Sequence, residues 1–431
     1  MLTRRVYSQL NIGESIDELK KTALEQYQAL IDGKTDALNA LAASLNIRFH
    51  RWAHDAANLT LKWQDPVKNV NINAPTAQVK ASEGEFEGAL PRFGHGLQRA
   101  FIFAILQELA EHGDTGPKLL LGCEEPELYQ HPPHARYLAG VMQQLSTQNA
   151  QVIVSTHSPT FVTGRSFENI RMTLKNPATG AASIKRATCT GIAQSIANVT
   201  AAPVAKPGGI AAKIEQELQG PMNEMFFATV RVLVEGIEDI AYISSYLTFM
   251  DRWQVFRSYG CHLVEVEGKS HLIEAIAIAK ALELPTFVVF DCDGDTPPDT
   301  REKPTGRRKK QEADNKGIFS IMGAPGTASF PADVVWRDDL VAWPTKIGDI
   351  VASEIGKEEL TKLKDQVRAE QGIDLPNMDK NSLFIGYLMA AAWQQGKRSK
   401  TLEALCEHII RFAAPPAPQE QPEPVPVLVG A

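Results

Sequence analysis

No run in the 431-residue sequence approaches the eighteen or so apolar residues of a membrane span; FIFAIL and LMAAAW are the longest of that kind. Cysteine is scarce and unpaired in pattern. Five residues, at 123, 189, 261, 292 and 406, show neither CxxC nor metal-ligand spacing, which argues against a disulfide framework or a zinc site. The opening stretch MLTRRVYSQLNIGES lacks an apolar h-region and does not read as a secretory signal. These absences together predict a cytoplasmic protein with reduced thiols and no membrane partner. An overall basic balance is missing too. The net charge of −7 excludes a polybasic nucleic-acid binder, though not a local basic patch.

What is present is the composition of a soluble globular protein, 44% hydrophobic and 22% charged, long enough for two or three domains. Apolar residues recur at helical steps over 14–45, and RFHRW, LTLKW and VNIN suggest short strands after it. From 94 onward helices alternate with apolar strands: a helix after Gly94-His-Gly96, strand 118–123, a helix over about 134–146, and strand 151–155. A second β-α-β-α-β run uses strands 230–234, 262–266 and 286–290, with helices from about 237 and over 270–282. Such alternation predicts an α/β fold with largely parallel sheets. AAPVAKPGG at 201–209 reads as a linker, and the Pro-rich tail from 415 as disordered.

The segment FVVFDCDGD runs an apolar strand straight into Asp291, Asp293 and Asp295. The earlier strand VRVLV likewise ends on Glu235-Gly236, with Asp239 in the first turn of the next helix. If the two strands are neighbours in a parallel sheet, these acids share one edge and repel each other unless a cation lies between them. Hard divalent ions with oxygen ligands suit that position. A lone DxD usually just ends a strand in solvent; the strand-end Glu-Gly 56 residues before it makes the metal reading the better one.

An upstream constellation suits nucleotide chemistry. LLLGCEEPELYQHP ends a strand on Glu124 and Glu125, adjacent carboxylates that can hold Mg²⁺ through water and polarise an attacking water. QVIVSTHSP ends the next strand near His157, which can reach a γ-phosphate. Gly94, Gly96 and Gln98 in FGHGLQR place flexible backbone at a helix N-terminus, where phosphate is attracted. The phosphate-cradling motif GxxxxGK[ST] does not occur; Gly33-Lys34-Thr35 interrupts a helical pattern and is a decoy. The expectation is therefore a fragment of a longer chain, a mis-set start or a degenerate ATPase, with the first favoured.

The order and spacing of the upstream residues resemble the ABC-type ATPases of the RecF/SMC-like group. That resemblance makes GHGLQR the signature loop, Glu124 the Walker B carboxylate, Glu125 the catalytic glutamate, and His157 the switch histidine. It also implies ATP, held by an opposite subunit of a homodimer. The strand-end Glu-Gly and DxD resemble the Toprim domain of topoisomerases, primases and certain nucleases. Both together, with NEMFFATVRVLVEGIEDIAYI between them, are similar to the OLD (overcoming lysogenization defect) family of ATP-dependent endonucleases over about residues 1–412.

The OLD resemblance implies two Mg²⁺ or Mn²⁺ ions, about 4 Å apart, cutting DNA phosphodiesters in phage defence or repair. Glu235 becomes metal ligand or general base; Asp239, Asp291 and Asp293 become metal ligands, and Asp295 a second-tier or turn residue. A later acid is implied, Asp338 or Asp339, and a distal lysine, Lys397 or Lys400. Six cations against one acid at 301–310, including Arg307, Arg308, Lys309 and Lys310, make a loop beside the metal edge that would grip DNA backbone. The alternative is a DNA-binding or regulatory ATPase with a non-cleaving Toprim domain. A primase or topoisomerase fragment is disfavoured by Glu124, Glu125 and His157. The expected domains are a partial ATPase over 1–200, a linker or connecting helix over 201–228, a Toprim domain over 229–412 and a tail over 413–431.

Overall fold

A computed structural model describes residues 12–53, 56–63, 77–111, 119–147, 150–176, 179–200, 202–218, 221–298, 306–373 and 378–415. The chain divides after Phe161 into two compact units, Met1–Phe161 and Val162–Ala431.

The first unit opens with helix α1 (Ile12–Phe49), followed by the antiparallel strands β1 (Ala57–Trp63), β2 (Ala77–Glu83) and β3 (Phe86–Ala89) in sheet order β1-β2-β3. RFHRW is not a strand. It finishes α1 and the turn beyond, because Phe49 and Trp52 are drawn into the core, where the Trp52 ring lies 5.5 Å from Phe103 and 4.7 Å from Tyr137. VNIN at 70–73 lies outside the described residues. The Asn46 side chain brackets Leu59 in β1, donating to its carbonyl and accepting its amide, each at 2.7 Å, and so pins helix to sheet. Helix α2 (His95–Glu111), strand β4 (Leu119–Glu124), helix α3 (Pro132–Thr147) and strand β5 (Ala150–Ser155) complete the unit. β4 and β5 are parallel and end flush, Glu124 opposite Ser155.

The second unit begins earlier than the sequence predicts. Residues 162–228 belong to it: hairpin β6 (Met172–Lys175) and β7 (Ala182–Lys185), helix α4 (Cys189–Thr200) and helix α5 (Pro207–Glu217) precede the sheet. The Ala/Pro/Gly stretch is exposed over its described residues 202–209. The rest of the segment expected to be a linker or connecting helix is packed into the core, where Ile210, Ile214, Leu218, Met222, Met225 and Phe226 are all buried.

The sheet itself contains β8 (Val230–Val234), β9 (Cys261–Glu265), β10 (Thr286–Asp291), β11 (Val335–Arg337) and β12 (Leu340–Trp343), in the order β11-β12-β10-β8-β9. All neighbours are parallel except the β11–β12 hairpin at one edge. Both faces are covered, so the strands are apolar over most of their length, the buried Arg231 of β8 being an exception. Leu233, Val264, Val288 and Phe290 face a core shared with α4, α5, α8 (Lys269–Ala281) and α9 (Arg307–Ile321). Val232, Phe287, Val289 and Trp343 face a core shared with α6 (Ile237–Phe249), α7 (Trp253–Ser258), α10 (Ile347–Ile355), α11 (Lys357–Gln371), α12 (Ser382–Gln394) and α13 (Lys400–Ala413). From β8 the chain steps to β9 on one side, then returns with β10 on the other. Strand order therefore reverses between β8 and β10, which is where α/β sheets open a crevice at their strand C-termini. No described helix is long and apolar enough to cross a membrane.

Candidate active site

Glu235 and Asp291 sit on the two sides of that reversal. The Asp291 amide donates to Glu235 Oε1 at 2.8 Å, so the two strand-end acids are in direct contact. Asp291 Oδ1 accepts from the Ile347 amide at the start of α10, at 3.3 Å. Asp239, buried in the first turn of α6, accepts from the Gly236 amide at 3.1 Å and keeps its carboxyl beside Glu235. Beyond β10 the backbone turns sharply at Asp293, whose φ is +50°, a conformation Asp tolerates better than most residues. Gly294 then donates to Pro344 O at 2.8 Å, and a Cβ placed there would come within 2.7 Å of the same oxygen. Asn315 from α9 ties the loop from beneath, donating to Cys292 O at 2.9 Å and Ser329 O at 2.7 Å.

The acids are under mutual electrostatic pressure. Burial pushes Glu235 up to about 7, against the opposing charge of Lys269 and the Asp291 amide. Burial and then repulsion from Glu235 push Asp239 up to about 8. Asp291 is held well above the usual carboxylate range, first by burial, then by Asp239, Glu235 and Asp293. Water-poor carboxylates that raise one another's pKa are a donor set suited to a hard divalent ion. Among the described residues, no three carboxylate, histidine or cysteine side chains are drawn together tightly enough to cage one. One reason is visible: Asp293 Oδ2 is taken by Lys269 Nζ at 2.6 Å.

Other expected residues fall elsewhere. Asp338 and Asp339 form the turn of the β11–β12 hairpin, and Asp339 O accepts the Val288 amide. They stand at the strand starts; Asp339 is four ladder steps from Trp343, the partner of Asp291, roughly 13 Å along the strand. The acid following β12 at the correct edge is Asp349, exposed in the first turn of α10. Lys397 is paired with Glu359 on α11, and Lys400 is exposed at the start of α13. Their loop docks through Ser399, whose amide donates to Tyr246 OH at 2.7 Å, two turns along α6 from Asp239. Asp295 is an exposed turn residue.

Arg307 to Lys310 open α9 rather than forming a loop; Arg301 and Lys303 lie outside the described residues. Arg308 is turned inward. Its guanidinium donates to Thr296 O and, at 3.3 Å, to Gly294 O, and lies 4.1 Å from the centre of the Phe330 ring. Sequence reading missed Lys269, Asn315 and Asp349. Lys269 lies four residues past the end of β9, after Val266-Glu267-Gly268, with no strand-end signal like that of Glu235.

In the first unit, Glu124 is exposed at the tip of β4, and Glu125 turns away with φ +43°, its amide on Ser155 O at 2.8 Å. Glu125 Oε2 accepts the His157 amide at 3.4 Å, and His157 Nε2 lies 3.7 Å from Oε1. Burial and the neighbouring Glu127 push Glu125 up. Arg99 ties α2 to this loop, donating to Glu125 O at 2.6 Å and Leu128 O at 3.2 Å. Gly94 is exposed and Gly96 half-buried just inside the α2 start, while Gln98 donates back to Phe93 O at 2.7 Å. The structure brings Glu125 and His157 together and presents Glu124 beside them.

Residues 5–162 match a family profile described as an AAA ATPase domain, ending where the first unit ends. Residues 226–293, spanning Glu235 to Asp293, match the Toprim domain of overcoming-lysogenization-defect-like proteins. The chain carries an AAA ATPase domain followed by an OLD-like Toprim domain. It is 28% identical to an OLD nuclease of Thermus scotoductus over 239 residues, 54% of this chain and 42% of that protein. It is 23% identical to the Old nuclease of Escherichia phage P2 over 269 residues, 61% of this chain and 44% of that protein. The chain thus spans a little over two fifths of either relative. The C-terminal region of the Burkholderia pseudomallei OLD protein aligns at 16% identity, covering 43% of this chain and 95% of that one, with a TM-score of 0.23.

Proposed function

We propose that the OLD-like Toprim unit is a divalent-metal-dependent DNA endonuclease site. The contact between Glu235 and the Asp291 amide carries this reading, because it puts two half-buried acids at the crevice between β8 and β10. Toprim and ATPase domains generally use divalent metal and ATP. Glu235, Asp239, Asp291 and Asp293 would hold Mg²⁺ or Mn²⁺. Such ions, when bound, polarise the attacking water and stabilise the leaving 3′ oxygen of a phosphodiester. The chain's own part is orientation. The Asp291 and Ile347 amides fix the two central carboxylates, and Arg308 with Asn315 fixes the loop that carries Asp293. The first turn of α9 would meet the DNA backbone without regard to sequence.

In the ATPase unit, Glu124, Glu125 and His157, with the Gly94–Gln98 turn, would act on ATP whose phosphates are cradled by an N-terminal segment outside residues 1–431 or by a partner chain, since GxxxxGK[ST] does not occur among those residues. A homodimer is part of this proposal, as is a role in phage defence or repair. Supercoiled plasmid incubated with the chain and Mg²⁺ or Mn²⁺, without nucleotide, tests the nuclease. Nicking that Asp291→Ala abolishes supports it. The second reading, a regulatory ATPase with a non-cleaving Toprim unit, is favoured by the Lys269–Asp293 pair, which occupies a carboxylate the cutting site needs. Inert wild type that still binds Mn²⁺ would select it.

A further inference from the structure

Lys269 is the first residue of α8 and is placed there by backbone, not by chance. Strand β9 hands over at Val266, whose amide donates to Val234 O at 3.1 Å. The next turn passes Glu267 at φ +55° and Gly268 at φ +111°, a conformation that L side chains rarely adopt. The Gly268 amide donates to the carbonyl of Glu235 itself at 2.8 Å, so the β9–α8 turn is fastened to the tip of β8. The lysine that follows is delivered into the acid edge.

Its surroundings are unusual for lysine, which is almost never fully buried without a partner. Only 7% of the residue is exposed, and its Nζ lies 2.6 Å from Asp293 Oδ2, on a side chain itself 17% exposed. The same ammonium is the positive charge that counters Glu235 and Asp291. Three acids thus share one resident cation. A pair this enclosed is not released without loss, because separating it leaves two charges poorly solvated.

We infer that Lys269 permanently fills one of the two cation positions of the acid edge by holding Asp293, so that the edge takes up one divalent ion rather than two. This rests on the reading of the edge as a divalent-ion site. It makes Lys269 a positioning residue, acting through Asp293, and it recasts the site as one ion plus one ammonium.

The full chain is titrated with Mn²⁺ in the absence of nucleotide, free ion being counted by electron paramagnetic resonance, and the count is compared with that of Asp291→Ala. The difference isolates ions bound at this edge from any bound in the ATPase unit. Wild type should exceed Asp291→Ala by one ion, Lys269→Arg by one, and Lys269→Met by two. A wild-type excess of two overturns the inference while leaving the divalent site intact, and so does an excess of one in a folded Lys269→Met. An excess of zero overturns the divalent-site reading itself. Because wild type against Asp291→Ala already separates one from two, the test stands even if Lys269→Met does not fold.

Discussion

The Asp291 amide and the Glu235 carboxylate meet at 2.8 Å across the line where strand order reverses, and the cation that counters both, Lys269, is itself paired with Asp293. Glu235 is raised from 4.5 to about 7 and Asp239 from 3.8 to about 8. The folded chain therefore keeps protons that the unfolded chain has released. Metal-free stability should fall as pH rises from about 4 through 8, since the unfolded state binds fewer protons throughout that window. Denaturant unfolding at pH 5, 6, 7 and 8 reads it directly. Glu235→Gln should flatten the slope, and Mn²⁺ should flatten it in wild type. A flat profile in metal-free wild type would contradict the assignment.

Gly294 has no room for a side chain against Pro344 O. Gly294→Ala must displace either backbone, at a cost of about 1–3 kcal/mol in stability. A shift of even about 1 Å in the loop carrying Asp293 should reduce nicking roughly a hundredfold. Thermal melts and plasmid assays on one preparation separate the two effects.

The two ends of the sheet make opposite predictions for acids. Asp338→Asn and Asp339→Asn, at the strand starts, should leave nicking within about twofold of wild type. Asp349→Asn, at the strand ends, should lower kcat about tenfold or more if its carboxylate serves the reaction. Equal losses at both ends would sink the placement argued for the site.

The four basic residues that open α9 should not behave alike. Lys309→Glu with Lys310→Glu should weaken DNA binding and make it less sensitive to salt, the log–log slope falling by about one for each phosphate no longer neutralised. Arg308→Ala should cost about 1 kcal/mol of stability, because the ring stacking and the bonds to two carbonyls go with the guanidinium, and it should reduce cutting more than binding. Fluorescence anisotropy across a salt series, beside nicking rates, distinguishes them.

The strand tips were legible in the sequence because apolar, β-branched runs ending on carboxylates are hard to explain otherwise. Glu235 and Asp291 are adjacent for the reason their sequence context suggests. Lys269 was not legible, because its partner depends on β9 lying beside β8 on the side away from β10, which no local pattern encodes. Asp338 and Asp339 misled because they stand just beyond an apolar stretch, as Glu235 and Asp291 do; that stretch is one arm of a hairpin whose two-residue turn puts them at the opposite strand ends from Asp291. The domain boundary was misplaced because Ala, Pro and Gly suggest a linker, whereas the large side chains just beyond them, Met222, Met225 and Phe226, are core.

The division after Phe161 bears on how the Toprim unit can be produced alone. A polypeptide begun at 229 would leave the sheet face lined by Leu233, Val264 and Val288 without the α4 and α5 helices that roof it. Such a trimmed protein would bare a greasy surface and precipitate, whereas one begun at 162 would retain its cover and stay in solution.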